Sequence, residues 1–128
     1  MATSAEDLAI KVVEQLIAAF NRRDCDAVAD LLDDDVICAG MPLDPAEGKA
    51  AAMDLLSPFL SAEQIDWEVL AIAAKGRTVF TERIDRFRFA GREWTAVRAA
   101  GVFEIATDGK IVAWRDYFDL AELQRAMP

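Results

Sequence analysis

Apolar side chains recur at helical spacing over residues 5–20. Leu8, Val12, Leu16 and Ala19 form one row, and Ile10, Val13, Ile17 and Phe20 widen it. The spacing predicts an amphipathic helix. Ser4 is placed to cap it, although Asp7 rather than Glu stands three residues later. Residues 21–24 break the pattern. A short second helix follows, with Val28, Leu31 and Leu32 on its apolar side, and the acidic run Asp33, Asp34, Asp35 reads as the solvated turn that closes it. Residues 36–38 read as a short strand. Pro42, Pro45 and Gly48 make 41–48 a loop. An Ala- and Leu-rich helix over 49–60 ends near Pro58.

From Gln64 the period changes to two. Ile65, Trp67 and Val69 alternate with Asp66 and Glu68. Four strands are expected, at about 64–73, 78–89, 93–105 and 110–118. Turn signals at Lys75-Gly76-Arg77, Ala90-Gly91 and Asp108-Gly109 separate them. A short helical turn over 120–127 ends the chain. Three N-terminal helices followed by an antiparallel meander make an α+β domain. Three short helices cannot cover both faces of such a sheet. It should therefore be a curved mixed sheet around the long helix, cone-shaped, with an internal pocket at its open end where a small ligand sits.

The 128 residues suit a single domain over 1–128. With 23 acidic and 14 basic side chains the net charge is −9, which argues against a nucleic-acid partner. Residues 1–72 hold 15 of the acidic and 4 of the basic groups, so the acid surplus lies in the helical half. No apolar run approaches the ~18 residues of a membrane span, and no leader pattern opens the chain. A cytoplasmic protein with no membrane partner is expected. Cys25 and Cys38 could form one disulfide, but free thiols suit that compartment better. The chain has no histidine. Histidine-based nucleophile pairs and the common zinc and haem ligand sets are therefore excluded, and proton chemistry must rest on carboxylates, lysine, tyrosine or cysteine.

Strand parity sorts the remaining charges. Over 78–89 one face carries Val79, Thr81, Arg83, Asp85, Phe87 and Phe89; the other carries Phe80, Glu82, Ile84, Arg86 and Arg88. The first set is the more apolar and should face inward, taking Arg83 and Asp85 with it. In the last strand Val112, Trp114, Asp116 and Phe118 share one face, and Ile111, Ala113, Arg115 and Tyr117 the other. Asp116 on an apolar face is costly unless paired. Arg83 is the natural partner, because one guanidinium can serve two carboxylates. Two carboxylates held together resist double ionisation, so one can act as acid and the other as base. A purely structural salt-bridge network is the competing reading of the same residues.

Thr81-Glu82-Arg83-Ile84-Asp85, Gly101-Val102-Phe103-Glu104, Asp108-Gly109-Lys110-Ile111 and Trp114-Arg115-Asp116-Tyr117-Phe118-Asp119, together with Met41-Pro42-Leu43 and Gly48, resemble the limonene-1,2-epoxide hydrolase family. That family lies within the SnoaL-like and nuclear-transport-factor-like group of cone-shaped folds. The resemblance implies one-step hydrolysis of a small apolar epoxide to a diol without a covalent intermediate. Asp116 would be the base on water, Asp85 the acid on the epoxide oxygen, and Arg83 the group that holds them. It implies no metal, no cofactor and a homodimer formed through sheet faces, for which Trp94 and the Arg86/Arg88 face are available. Candidate substrate contacts are Cys38, Gly40, Met41, Val79, Phe87, Phe103 and Trp114, with Phe89 and Trp67 also available to the apolar wall. The family holds its water with a Tyr and an Asn where this chain has Cys38 and Gly40, so the acid–base set is complete and the water site is altered.

Two other functions compete with hydrolysis. A SnoaL-like isomerase or cyclase is one, although the isomerase form needs a carboxylate near Gly40. A non-catalytic small-molecule binding domain is the other. Turnover of epoxides in oxygen-18 water separates hydrolysis from both.

Overall fold

The computed structural model describes residues 4–128; the start of the stretch read for a leader lies outside them. Ser4 accepts a hydrogen bond from the Asp7 N–H and starts α1 (Ala5–Asn21). Val13, Leu16, Ala19 and Phe20 on one face of α1 have no exposure. Asp24 caps α2 (Cys25–Leu31) through the Ala27 N–H. Strand β1 (Leu32–Met41) follows, then the two-residue β2 (Ala46–Glu47) and α3 (Lys49–Leu60). Next come β3 (Gln64–Lys75), β4 (Thr78–Arg88), β5 (Trp94–Ile105) and β6 (Ile111–Phe118), and α4 (Leu120–Ala126), capped by Asp119, ends the fold.

The six strands form one mixed sheet in the order β2-β1-β6-β5-β4-β3. Strand β1 lies parallel to β6, and every other neighbour is antiparallel. The α+β class, the curved mixed sheet and the helical wrapping match the expected architecture. The core lies between α1, α3 and the concave face of the sheet. Phe20 stacks on Trp67 at 4.3 Å between ring centres and meets Trp114 edge-on at 5.8 Å.

Three local expectations need correction. Strand β1 is longer than 36–38 and starts at Leu32, which pairs with Ile111; pairing resumes only at Ile37, opposite Ala113. The acidic residues between are looped out of the ladder, with the Asp33 carboxylate accepting from the Asp35 N–H. Like charges facing water instead of a partner strand account for that loop. The segment 41–48 contains β2, which pairs with Ile37 and Cys38. In β6 the alternation slips: Ile105 pairs with Ile111 and Glu104 with Ala113, so Val112 is an extra residue. That bulge turns Ile111 into the core at 0% exposure, against the parity assigned to it. From Trp114 onward the expected faces hold.

Helix α3 spans Lys49–Leu60, the bounds expected, and holds Pro58 in its last turn. Proline cannot donate to the Asp54 carbonyl one turn back. The Ser57 hydroxyl donates to that carbonyl instead, at 3.4 Å.

Candidate active site

Strand β4 brings Thr81, Arg83, Asp85 and Phe87 to the concave face, all with at most 5% exposure. A buried guanidinium needs every donor occupied, and all five N–H groups of Arg83 are. Its Nε donates to Asp85 Oδ1 at 3.0 Å and its Nη2 to Asp85 Oδ2 at 2.9 Å. Its Nη1 donates to Asp116 Oδ1 at 3.2 Å and to Thr81 Oγ1 at 3.0 Å. Its Nη2 donates a second time, to Asp116 Oδ2 at 2.8 Å. Arg83 is thus bidentate to both carboxylates. The Trp67 ring lies against the guanidinium, with Arg83 Cζ 4.9 Å from the ring centre. Trp114 Nε1 donates to Asp116 Oδ1 at 2.8 Å.

The two carboxylates are in different environments. Burial pushes the Asp85 carboxyl up to about 6, and the Arg83 bonds oppose the rise only in part; the Asp116 charge adds to it. With both carboxylates ionised the set carries one net negative charge in a closed site, and a proton on Asp85 neutralises it. Burial alone would lower the Arg83 guanidinium, but Asp116 and Asp85 more than offset that and hold it protonated. Burial, then the Asp116 charge, pushes the Cys38 thiol up to about 12, so the sulfur remains an uncharged S–H.

Asp85 and Asp116 open onto an apolar cavity of about 430 Å³, its open mouth included. Its walls include Phe20, Trp67, Phe87, Trp114 and Phe118. A second lobe of similar size meets the first at Asp116 and is walled by Cys38, Ala39, Gly40, Leu43, Leu55 and Phe59. Of the candidate substrate contacts, Cys38, Gly40, Phe87 and Trp114 line these lobes. Val79 and Phe103 do not: both are fully buried in the core. Phe103 instead backs Trp114 at 5.3 Å between ring centres. Met41 is also outside the lining and is 37% exposed, because the strand alternation turns it away from Gly40. Phe89 is buried behind Phe87. Among the described residues no three His, Cys, Asp or Glu side chains are grouped to hold a metal ion.

Residues 7–128 match the limonene-1,2-epoxide hydrolase catalytic domain. The chain belongs to this family. A curated relative, epoxide hydrolase EphG of Mycobacterium tuberculosis, is 30% identical over 115 residues, which are 90% of this chain and 76% of EphG. The structure of an M. tuberculosis limonene-epoxide-hydrolase-like epoxide hydrolase superposes with a TM-score of 0.81 at 30% identity, covering 95% of this chain and 90% of that one. SalBIII, described as an epoxide hydrolase/cyclase-like enzyme in pyran ring formation in the polyether salinomycin, shares the fold with a TM-score of 0.81. It is 20% identical, covering 89% of this chain and 92% of SalBIII. The same cone recurs in SnoaL-like and NTF2-like proteins. Membership in the limonene-1,2-epoxide hydrolase family places the protein among epoxide hydrolases and their relatives.

Sequence reasoning passed over several residues that build the site of this family member. Gly101 sits on β5 opposite both Thr81 and Asp116. A Cβ there would lie 2.5 Å from Arg83 Nη1 and 2.7 Å from Asp116 Oδ1. The missing side chain is the space through which the ion pair crosses β5. A glycine inside a strand pattern is a signal for such a close approach. Asn21, read only as a break in the helix pattern, clamps both backbone groups of Trp67 on the sheet edge: its Oδ1 accepts from the Trp67 N–H at 2.8 Å and its Nδ2 donates to the Trp67 carbonyl at 3.3 Å. That clamp fixes the ring beneath Arg83. No spacing rule links Asn21 to Trp67 across 46 residues.

Proposed function

We propose that the protein hydrolyses a small apolar epoxide to a diol. The observation that carries this reading is the single guanidinium of Arg83, bidentate to two carboxylates that both face an apolar cavity. Asp85, whose carboxyl is raised to about 6, supplies the acid and protonates the epoxide oxygen as the ring opens. Asp116, at the meeting of the two lobes, is the base that takes a proton from the attacking water. Arg83 holds the two in register, and Trp114 fixes one oxygen of the base. Water attacks the carbon directly, so no bond forms between protein and substrate.

Small apolar epoxides incubated with excess protein in oxygen-18 water test this. Label in the diol from the first turnover is expected. Unlabelled diol in that turnover would reveal an ester to the protein, and a folded protein that binds the epoxides without consuming them would be a binding domain.

The outer face of the sheet supports a homodimer: Leu70, Phe80, Trp94 and Tyr117 stand exposed there. Sedimentation should give twice the 14.1 kDa chain mass, and a monomer would contradict it. No helix among the described residues is long and apolar enough to cross a membrane. A cytoplasmic site of action remains part of the proposal.

A further inference from the structure

One buried donor in the first lobe is left without a partner. Trp67 is 6% exposed and lines the cavity together with Asp85. Its indole Nε1–H makes no hydrogen bond, and among the described residues no other buried side-chain nitrogen or oxygen is left so. Buried donors are paired as a rule, because an unmade bond is costly.

The protein's own groups around the indole do not supply an acceptor. The ring stacks on Phe20 at 4.3 Å between centres and meets Phe87 and Trp114 edge-on at 6.0 Å and 6.4 Å. The group over its face is the Arg83 guanidinium, which is itself a donor. Asp85 stands opposite Trp67 in the β3–β4 ladder, but its two oxygens accept from Arg83. Phe20, Arg83 and the Asn21 clamp hold the ring where it is.

An apolar pocket uses its few polar groups to orient and select a ligand. Four polar side chains line the first lobe: Asp85, Asp116, Trp114 and Trp67. The carboxylates have the acid and base roles proposed above, and the Trp114 N–H is given to Asp116. The Trp67 N–H is the donor that remains for the substrate. We propose that the preferred substrate is an epoxide whose carbon chain carries an ether or carbonyl oxygen, and that Trp67 Nε1–H binds this second oxygen. The inference rests on the epoxide-opening reading and adds the feature by which the site selects among epoxides.

The surroundings narrow the acceptor. A carboxylate would face the charge of Asp116, and an alcohol would bring a hydrogen that the apolar walls cannot accept. An ether or carbonyl oxygen has neither defect. Trp67 lines the first lobe and not the second, so the oxygen belongs to the arm of the substrate that fills the first. Directly opposed residues on neighbouring strands have Cβ atoms about 4.5–5.5 Å apart. The second oxygen therefore lies only a few bonds from the epoxide that Asp85 protonates.

The probes are 1,2-epoxyheptane and the three ethers in which oxygen replaces its fourth, fifth or sixth carbon. In the wild type at least one ether should exceed the hydrocarbon by about tenfold or more in kcat/KM. Trp67→Phe keeps an aromatic ring and removes the N–H. It should bring that ether down to the rate of the hydrocarbon and change the hydrocarbon by less than about threefold. A purely packing role would slow both alike. A second readout needs no altered Trp67: its indole proton resonance, assigned with Trp94→Phe and Trp114→Phe, should move downfield with the diol of the preferred ether and not with 1,2-heptanediol. No ether preference in an active wild type, or a preference that survives in folded Trp67→Phe, would overturn the inference and leave the epoxide-opening roles standing. Consumption of none of the four epoxides by the folded wild type would overturn both.

Discussion

Replacing Gly101 with alanine reverses the usual sign of that substitution. A glycine in a strand interior normally costs about 0.5–1 kcal/mol relative to alanine, so the change should ordinarily stabilise. At this position the added Cβ lies 2.5 Å from Arg83 Nη1, 2.7 Å from Asp116 Oδ1 and 3.0 Å from Phe103 Cε1. Comfortable contacts between heavy atoms begin near ~3.5 Å, so the guanidinium and the carboxylate must each retreat by nearly ~1 Å. Neither is free to do so. Arg83 is 1% exposed and bonded through five N–H groups, and Asp116 is held by Arg83 and Trp114. Overpacking costs about 1–3 kcal/mol, and breaking a buried ion pair costs about 3–5 kcal/mol. Gly101→Ala does the first and part of the second, so a loss of about 2–4 kcal/mol is expected. A ~1 Å displacement of the base should cost roughly 100-fold in turnover. Urea unfolding and the initial rate of epoxide consumption measure the two effects. Gly40→Ala is the comparison, since its Cβ would meet only the Phe118 ring, at 3.1 Å and 3.2 Å, and that half-buried ring can give. A Gly101→Ala protein as stable and as fast as wild type would refute the idea that the ion pair needs this gap.

Arg83→Ala should cost about 3–5 kcal/mol of stability and all turnover, because it strands two carboxylates; Arg83→Lys should rescue little, since an ammonium cannot bind both bidentately. Denaturation and rate assays on both variants check this. Trp114→Phe removes the N–H donated to Asp116 at 2.8 Å and should lower kcat by roughly ten- to hundred-fold, the effect of losing ~1.5–3 kcal/mol from a charged acceptor. With Asp85 as the acid, kcat/KM should fall as pH rises above about 6, and a flat profile through pH 8 would contradict that role. The same proton sets a stability trend. The folded carboxyl is raised above its unfolded value of 3.8, so its contribution is full below that pH and is lost as pH rises through about 6. Urea titrations at several pH values should show wild type losing stability over that window relative to Asp85→Asn.

Much of the fold was legible because its elements obey simple periods. The 3.6 period of α1 and the strict alternation of β4 placed Phe20, Arg83 and Asp85 on the concave face. Parity also put Asp116 with Trp114, and charge pairing then pointed to Arg83. What escaped depends on register and depth. The bulge at Val112 inverts Ile111 without any sign in the local alternation. Val79 and Phe103 share a face with cavity residues, yet both are fully buried away from the lining, and parity alone cannot tell core from lining on one face. Gly101 was quoted only as part of a motif, since its function is the absence of an atom at a crossing of three strands.

Turnover by the folded Asp116→Asn protein is the most direct test of the site. Asparagine keeps the shape of the side chain but cannot take a proton at neutral pH, so epoxide consumption should fall to the rate without protein while circular dichroism is unchanged. Substantial epoxide opening by that folded variant would show that Asp116 is not the base, and that the carboxylate–guanidinium set only fixes the sheet.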